Sequence, residues 1–372
     1  MKKNHQNLTR REFMKLSAMG LGSLALSPVV DGMQKLDEFP QGELLGRNTV
    51  LSPNTISLWT RPSSFSTAIR TLKDDECVVW LREVVGDLVP GRVNRRWVET
   101  PDGYVYGSSL QPVRNKPNTP VTQLTTPSDK GMGMWVEVTV PYVRLQLVNP
   151  PAQAPWLGSV SPDLWRLYYS QVVLVDEIKT DSDGLVVYRV SDRYGNPGDY
   201  FYADARAFRP ITQEEVSPIH PDIADKKIVI NINHQTLSCY EGNSEVYYCQ
   251  VSTGLKLDES GLPSDKWITP IGTFSIWRKL FSIHMAAGTS ESGWDLMAVP
   301  WSTYFVGSGV AIHSTHWHND FGVPRSHGCV NATPDDAKWI FRWTKPAVDF
   351  AAGDRTDNSF TSTQIFVVEQ TY

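Results

Sequence analysis

Cysteine is scarce in this chain, with four among 372 residues. Two of them, Cys239 and Cys249, lie in TLSCYEGNSEVYYCQV (236–251), a pattern that predicts a β-hairpin. A regular register pairs Cys239 with Val246 and Cys249 with Thr236, and it puts the two thiols on opposite faces of the ribbon. The sequence therefore argues against a disulfide between them.

The scarcity also separates one cysteine from the rest. Cys77, Cys239 and Cys249 sit in apolar, strand-like runs and are interpreted as small buried hydrophobes. Cys329 instead lies in a stretch that is rich in histidine. Cys329 is therefore the candidate for a reactive cysteine.

Long hydrophobic runs are missing as well. The longest weakly apolar run, residues 16–30, contains too much Gly and Ser to span a bilayer comfortably and reads as an export signal. Thr9 to Lys15, with Arg10 and Arg11 at its centre, resembles the twin-arginine signal. We therefore expect residues 1–33 to be a twin-arginine-type export signal and the protein to work in the periplasm or cell wall. An ordinary secretory signal and an uncleaved tether remain alternatives.

Positive charge is in deficit. The chain has 35 Lys and Arg against 40 Asp and Glu, a net charge of −5, and removal of residues 1–33 leaves 30 against 38, a net charge of −8. This balance argues against nucleic acid as a partner. After the signal, no run is long enough for a membrane span, so we expect none in the mature protein.

Aromatic residues and turn formers are plentiful instead. They amount to 11% Phe, Trp and Tyr, 25 Pro and 26 Gly, a composition typical of short strands joined by tight turns. The length predicts two or three domains. The expected fold is mainly β, with few helices.

An internal repeat divides the first part of the chain. CVVWLREVVGD (77–87) aligns with QVVLVDEIKTD (171–181), and each is followed by a strand, a turn and a Tyr-x-Tyr or Tyr-Phe-Tyr strand. Both units resemble bacterial SH3-like domains, which implies two small barrels. We expect domain 1 at 34–116, domain 2 at 117–216 and a catalytic domain at 217–372.

The third region predicts a β-rich body with one clearly signalled helix. Thr333 is a candidate N-cap, Pro334 occupies the first helical position, Asp335 and Asp336 follow, and Pro346 lies beyond the end. The helix would lie directly behind Cys329.

The stretch IHSTHWHNDFGVPRSHGCVN (312–331) holds the candidate chemistry. His313 ends a buried-looking strand, and the polar segment that follows can loop out and bring Cys329 back to it. An imidazole that removes the thiol proton makes a good nucleophile. The turn at Gly328 can aim backbone N–H groups at a developing oxyanion.

Two other interpretations of the histidines are open. His313, His316 and His318 have the pattern H-x-x-H-x-H, which is compatible with zinc. The intervening Asn, Gly and Pro indicate a flexible loop rather than a scaffold, so His316 and His318 are interpreted mainly as surface-loop histidines. We expect no metal and no organic cofactor.

The order His before Cys and the motif SHGCVN resemble the signature of L,D-transpeptidases of the YkuD type. VSTG (251–254) and TPIGTF (269–274) also match, so the resemblance covers about residues 226–370. It implies a β-sandwich-like catalytic domain that follows the two SH3-like barrels.

The same resemblance implies roles for individual residues. Cys329 would be the nucleophile and His313 its base, oriented by the carbonyl of Ser314. The oxyanion turn would comprise His327, Gly328 and Cys329. Tyr304 and Asn331 would line the substrate site.

The resemblance also implies a reaction and an inhibitor. Cys329 would attack a peptidoglycan stem tetrapeptide, release D-Ala and pass the acyl group to a second stem, which forms a 3→3 cross-link. Carbapenems would acylate the same thiol. An L,D-carboxypeptidase on the same substrate and a non-catalytic wall-binding protein are the alternatives.

Overall fold

The structure, a computed structural model, describes residues 35–50, 54–128, 131–154, 157, 161–162, 165–191, 198–258, 260–287, 294–357, 359 and 361–370. The predicted export signal, residues 1–33, lies outside the described residues. In the described part, no helix is long and apolar enough to cross a membrane. The architecture is mainly β, as the composition predicts.

The first region consists of strands joined by short turns. They are β1 (Leu45–Asn48), β2 (Ile56–Trp59), β3 (Ala68–Leu72), β4 (Cys77–Val79), β5 (Arg82–Val85), β6 (Arg96–Thr100), β7 (Gly103–Tyr106) and β8 (Leu110–Val113). Strand β1 lies between β4 and β8, and a second sheet has the order β3-β2-β7-β6-β5.

The second region repeats part of this arrangement. Its strands are β9 (Thr126–Ser128), β10 (Gly131–Val138), β11 (Tyr142–Arg144), β12 (Gln146–Leu147), β13 (Arg166–Tyr168), β14 (Val172–Thr180), β15 (Val186–Ser191), β16 (Phe201–Asp204) and β17 (Phe208–Pro210). Here β10 lies between β14 and β17, as β1 lies between β4 and β8.

Both repeats end in the same way. Strands β7 and β8 flank a 3₁₀ turn at Gly107–Ser109, and β16 and β17 flank one at Ala205–Ala207. The repeat seen in the sequence thus has a structural counterpart. Among the described residues, however, the strands of each repeat form open sheets and not a closed barrel.

The third region is a two-sheet sandwich with a helix. Its elements are β18 (Lys226–Asn231), β19 (Thr236–Glu241), β20 (Ser244–Gln250), β21 (Gly272–Ser275), β22 (Arg278–Ala287), β23 (Trp294–Tyr304), β24 (Ala311–Ser314), β25 (Val330–Ala332), α1 (Pro334–Trp343), β26 (Asp354–Thr356) and β27 (Gln364–Val368). One sheet has the order β20-β19-β18-β27-β21, and the other has β25-β24-β23-β22-β26. A single apolar core joins both sheets and helix α1.

The helix begins where the sequence predicts. The Thr333 hydroxyl accepts a hydrogen bond from the Asp336 N–H at 3.2 Å, and Pro334 is the first helical residue. At the other end, the buried Lys279 ammonium donates to the carbonyls of Phe341 and Thr344 at 2.6 and 2.8 Å. A cation at this end satisfies carbonyls that have no partner within the helix.

The predicted register of the Cys239–Cys249 hairpin is wrong. A bulge at Cys239 and Tyr240 shifts the pairing by one residue, so Cys239 pairs with Tyr247 and Cys249 with Leu237. Because a one-residue shift changes the face of every later side chain, both cysteines point into the same core. Both thiols are nonetheless free.

Candidate active site

Parallel pairing of β24 with β25 brings the segments of the two candidate residues, His313 and Cys329, side by side. His313 lies directly opposite Asn331, and Cys329 precedes Asn331 by two residues. Residues two apart in an extended segment point to the same face, and the strand spacings put such diagonal Cα atoms roughly 8 Å apart. An extended backbone from Cys329 into β25 would therefore put the thiol on the same face as the imidazole.

His313 is held as a neutral base. Its side chain lies in the core, with 2% of the residue exposed, and its Nδ1 lies 2.9 Å from the Ser314 carbonyl. A carbonyl can only accept, so Nδ1 carries the proton and Nε2 keeps its lone pair. Burial lowers the pKa of His313 to about 4, an effect that the Ser314 carbonyl partly offsets. At neutral pH the ring can take up a proton.

Cys329 is a neutral thiol in the resting site. Burial raises its pKa to about 11, and a backbone hydrogen bond at Ala311 works in the opposite direction. Its Sγ lies 3.8 Å from the carbonyl oxygen of Gly309. A neutral thiol next to a neutral imidazole calls for proton transfer during attack, and not for a pre-formed ion pair.

Tyr304 ends β23 in the wall of this site. The residue is buried and its ring packs at 5.6 Å against Trp277. Its pKa is raised first by burial and then by the negative charge that Cys329 would carry as a thiolate. Tyr304 thus lies within electrostatic range of the thiol, and its contact with a substrate stays a prediction.

The turn before the thiol is fixed by two hydroxyl groups. Gly328 has a φ of 122°, a conformation that favours glycine. The Gly328 N–H donates to the Ser326 hydroxyl at 3.1 Å, and that hydroxyl donates to the Cys329 carbonyl. The Thr269 hydroxyl donates to the Gly328 carbonyl at 2.8 Å. In this geometry the Gly328 N–H is engaged, so an oxyanion would have to use other N–H groups of the turn.

The motif VSTG supports the same turn through its backbone. Ser252 and Asn331 exchange two backbone hydrogen bonds of 2.8 and 2.9 Å, and the Ser326 N–H donates to the Thr253 carbonyl at 3.1 Å. The Gly254 N–H donates to the Thr269 hydroxyl at 2.9 Å. VSTG, TPIGTF and SHGCVN, which are far apart in sequence, therefore meet at one place.

The segment between His313 and Cys329 is not the solvent-exposed loop that the sequence predicts. Its residues from Thr315 to Phe321 are buried or half-buried. The His316 carbonyl accepts from the Arg47 guanidinium at 2.6 Å, and the Asn319 N–H donates to the Ser108 carbonyl at 3.2 Å. The first repeat thus covers this segment and pairs two of its backbone groups.

The surface-loop interpretation of His316 and His318 is wrong for the same reason. The His316 ring stacks on Tyr168 with centroids 4.8 Å apart. His318 Nδ1 accepts from the Asp320 N–H at 3.2 Å. Its Nε2 lies 2.9 Å from Asn331 Nδ2, and if Nε2 carries the proton it donates to Asn331 once the amide is turned so that the unpaired Oδ1 faces it. Burial lowers the pKa of both rings, that of His318 to about 3.

These contacts bear on the zinc hypothesis. His313, His316 and His318 each use a ring nitrogen or ring face for a separate protein contact. In the part of the chain that the structure describes, no three His, Cys, Asp or Glu side chains are grouped to hold a metal ion.

The sequence did not reveal a buried ionic network beside this segment. The Asp75 carboxylate accepts from Arg47, from Arg166 at 2.5 Å and from the Tyr168 hydroxyl at 3.2 Å. These residues come from the first and second repeats, and His316 adds the catalytic region. The network forms only through contacts between residues that are far apart in sequence. Nothing in the local sequence around each residue therefore indicates that it is buried and paired.

The comparisons agree with the motifs. A family model described as YkuD, L,D-transpeptidase catalytic domain, matches residues 225–358. L,D-transpeptidase 1 of Mycobacterium tuberculosis is 36% identical over 80 residues, which cover 20% of this chain and 32% of that protein. YciB of Bacillus subtilis is 26% identical over 134 residues, 33% of this chain and 63% of that protein. The chain thus spans less than two thirds of the length of either relative.

Solved structures are similar at low identity. An L,D-transpeptidase from Mycobacterium smegmatis is 19% identical, with 49% of this chain and 90% of that chain covered and a TM-score of 0.30. The transpeptidase LdtMt1 in complex with imipenem is 18% identical, with coverage of 67% and 95% and a TM-score of 0.30. The family match covers residues 225–358, so this C-terminal region is similar to the L,D-transpeptidase catalytic domain of the YkuD type.

Proposed function

We propose that this protein is a peptidoglycan L,D-transpeptidase that forms 3→3 cross-links through a thioester on Cys329. The observation that best supports this proposal is the parallel pairing of β24 with β25, since it brings His313 opposite Asn331, two residues after Cys329, and burial keeps both the imidazole and the thiol neutral. The exchange of hydrogen bonds between VSTG and SHGCVN supports it, since it fixes the thiol relative to the base. No resident metal or organic cofactor enters the proposal.

The proposed acylation starts from the neutral pair. His313 Nε2 takes the thiol proton as Sγ attacks the carbonyl carbon of the third stem residue, and the carbonyl electrons move onto its oxygen. N–H groups of the turn at His327 and Cys329 would stabilise that oxyanion. When the carbonyl re-forms, the C–N bond breaks, and His313 returns the proton to the departing amine of D-Ala.

The second half reverses these roles. A side-chain amine of a neighbouring stem attacks the thioester, His313 accepts a proton from that amine, and the thiol leaves as Cys329 regains its proton. Tyr304 and Asn331 would contact the stem peptide. A hydroxyl from water in place of the amine would make the enzyme a carboxypeptidase.

Mass spectrometry of muropeptides tests the reaction. The full mature chain is incubated with purified tetrapeptide monomers, and Cys329→Ala and Cys77→Ala serve as paired variants. We expect dimers with 3→3 links from wild type and Cys77→Ala and none from Cys329→Ala. Tripeptides without dimers would point to hydrolysis. Products that do not differ between wild type and Cys329→Ala would leave only a wall-binding role.

Carbapenem acylation offers a second test of the same thiol. We expect imipenem to add its mass once to wild type and not to Cys329→Ala, because the thiolate formed with His313 would open the lactam ring. An adduct of equal yield on Cys329→Ala would contradict the assignment.

We also propose export by the twin-arginine route, on the basis of Arg10 and Arg11. Replacing both by Lys should retain the charge and block export, and cell fractionation with immunoblotting measures it. Unchanged export would favour the ordinary secretory route. The SH3-like nature of residues 34–116 and 117–216, supported by the shared strand order, remains part of this proposal.

A further inference from the structure

A cavity of about 230 Å³ lies where the two repeats meet the catalytic region. Arg47 of the first repeat, Trp165 and Arg166 of the second, and His316 and Met297 of the third line it. A cavity of about 150 Å³ is enough to hold benzene in another protein. The space is therefore large enough for a small organic molecule.

Three lining side chains carry a buried nitrogen that has no hydrogen-bond partner. They are Trp165 Nε1, Arg166 Nε and His316 Nδ1. The His316 residue is 8% exposed, and the Arg166 side chain is also 8% exposed. Buried donors are nearly always paired, so three of them around one cavity indicate a partner with acceptor oxygens.

The charge balance indicates that the partner is an anion. Two buried guanidinium groups, Arg47 and Arg166, share the single carboxylate of Asp75. Against Asp75 alone, the two guanidinium groups leave one positive charge in excess among buried side chains. The other acid in the lining, Asp295, lies 2.5 Å from His284, and the excess remains when this second pair is ionised and therefore neutral overall.

The remaining walls indicate the shape of the partner. Leu145, Phe201 and Trp317 also line the cavity. Apolar and aromatic walls with a few placed donors are typical of sites for small ligands. Ordered water could accept the three N–H groups, but it would not balance the excess charge.

We propose that this junction cavity is a binding site for a small carboxylate with an apolar body, separate from the thiol site. The carboxylate would accept from the Trp165 indole N–H, the Arg166 guanidinium and the His316 ring. The apolar body would lie against Phe201 and Trp317. The site does not depend on the proposed reaction.

Benzoate and benzamide form a matched pair of probes, since they differ only in the charged oxygen. Binding to the full mature chain is followed by calorimetry and by the indole N–H signals in nitrogen-15 NMR spectra. We expect benzoate, and not benzamide, to bind and to shift the Trp165 signal, which is assigned by its loss in Trp165→Phe. That variant removes the unpaired donor and keeps an aromatic ring, although a smaller one, and it should weaken benzoate binding about tenfold.

Trp277→Phe is the control for that variant. Trp277 Nε1 is also buried without a partner, but it lies outside the cavity, so its removal should leave benzoate affinity unchanged. Alkylation of Cys329 should likewise leave benzoate affinity unchanged. Equal affinity for benzamide, an unaltered affinity in Trp165→Phe, or loss of binding after alkylation of Cys329 would each overturn the proposal. None of these outcomes depends on turnover.

Discussion

Mild acid should destabilise the catalytic region, because three histidines are held there as neutral rings. Burial lowers the pKa of His313 to about 4 and that of His318 to about 3, and it lowers that of His316 as well. In the unfolded chain each ring titrates near 6.5. Since the folded values are depressed, the stabilisation is complete above 6.5 and is lost as the pH falls toward the folded values.

The magnitude follows from linkage. One pH unit below 6.5, each ring is mostly protonated when unfolded and neutral when folded, which costs about 1.4 kcal/mol. For His313 and His318 together, a change from pH 7.5 to 5.5 should remove about 3 kcal/mol from the free energy of unfolding of this region, and His316 changes it in the same direction. This is a large share of the roughly 5–15 kcal/mol of a typical domain.

Amide hydrogen exchange at strands β24 and β25 measures this loss, since it reports the stability of each region of a multidomain chain separately. His316→Phe keeps an aromatic ring against Tyr168 and removes one group whose pKa burial lowers, so the loss should be smaller than in wild type. His220→Gln, at an exposed position, should leave the loss unchanged. Equal opening free energies at both pH values, or the same loss in His316→Phe and wild type, would refute the reasoning.

Other measurements address the thiol, the turn and the metal. Iodoacetamide should label Cys329 at least about tenfold faster than Cys77 at neutral pH, because burial raises the pKa of Cys329 to about 11 and that of Cys77 to about 12. His313→Ala should slow the labelling of Cys329. Equal labelling rates for the two cysteines would contradict an activated thiol. Gly254→Ala should abolish turnover and lower the melting temperature, because its Cβ would lie 1.8 Å from the Trp267 carbonyl oxygen; unimpaired turnover would show that VSTG need not approach so closely. Chelation with EDTA should leave turnover unchanged, whereas loss that zinc restores would revive a metal role.

Local signals in the sequence predicted local structure well. Thr333, Pro334 and the two aspartates that follow lie within one helical turn, so the start of α1 could be read from neighbouring residues alone. The same holds for the strands that carry the candidate pair, where an apolar run ends at His313. Motif spacing also predicted that Cys329 would return to the strand next to it.

Two failures have a common physical origin in long-range packing. The predicted hairpin register was wrong because the alternation of apolar and polar residues does not indicate the bulge at Cys239. The loop interpretation failed because the partner of the His316 carbonyl, Arg47, lies 269 residues away in the chain. Asn, Gly and Pro indicate where a chain turns, but they do not indicate what will cover it.

Arg47 and Ser108 contact the segment 315–321, so the first repeat is part of the structure that surrounds the candidate site. If residues 225–358 were expressed alone, the backbone between His313 and Cys329 would lose these contacts. Such a fragment should therefore hold the two candidate residues less firmly than the intact protein does. Substitutions in the first repeat, distant in sequence from Cys329, should in turn alter the rate of the proposed reaction.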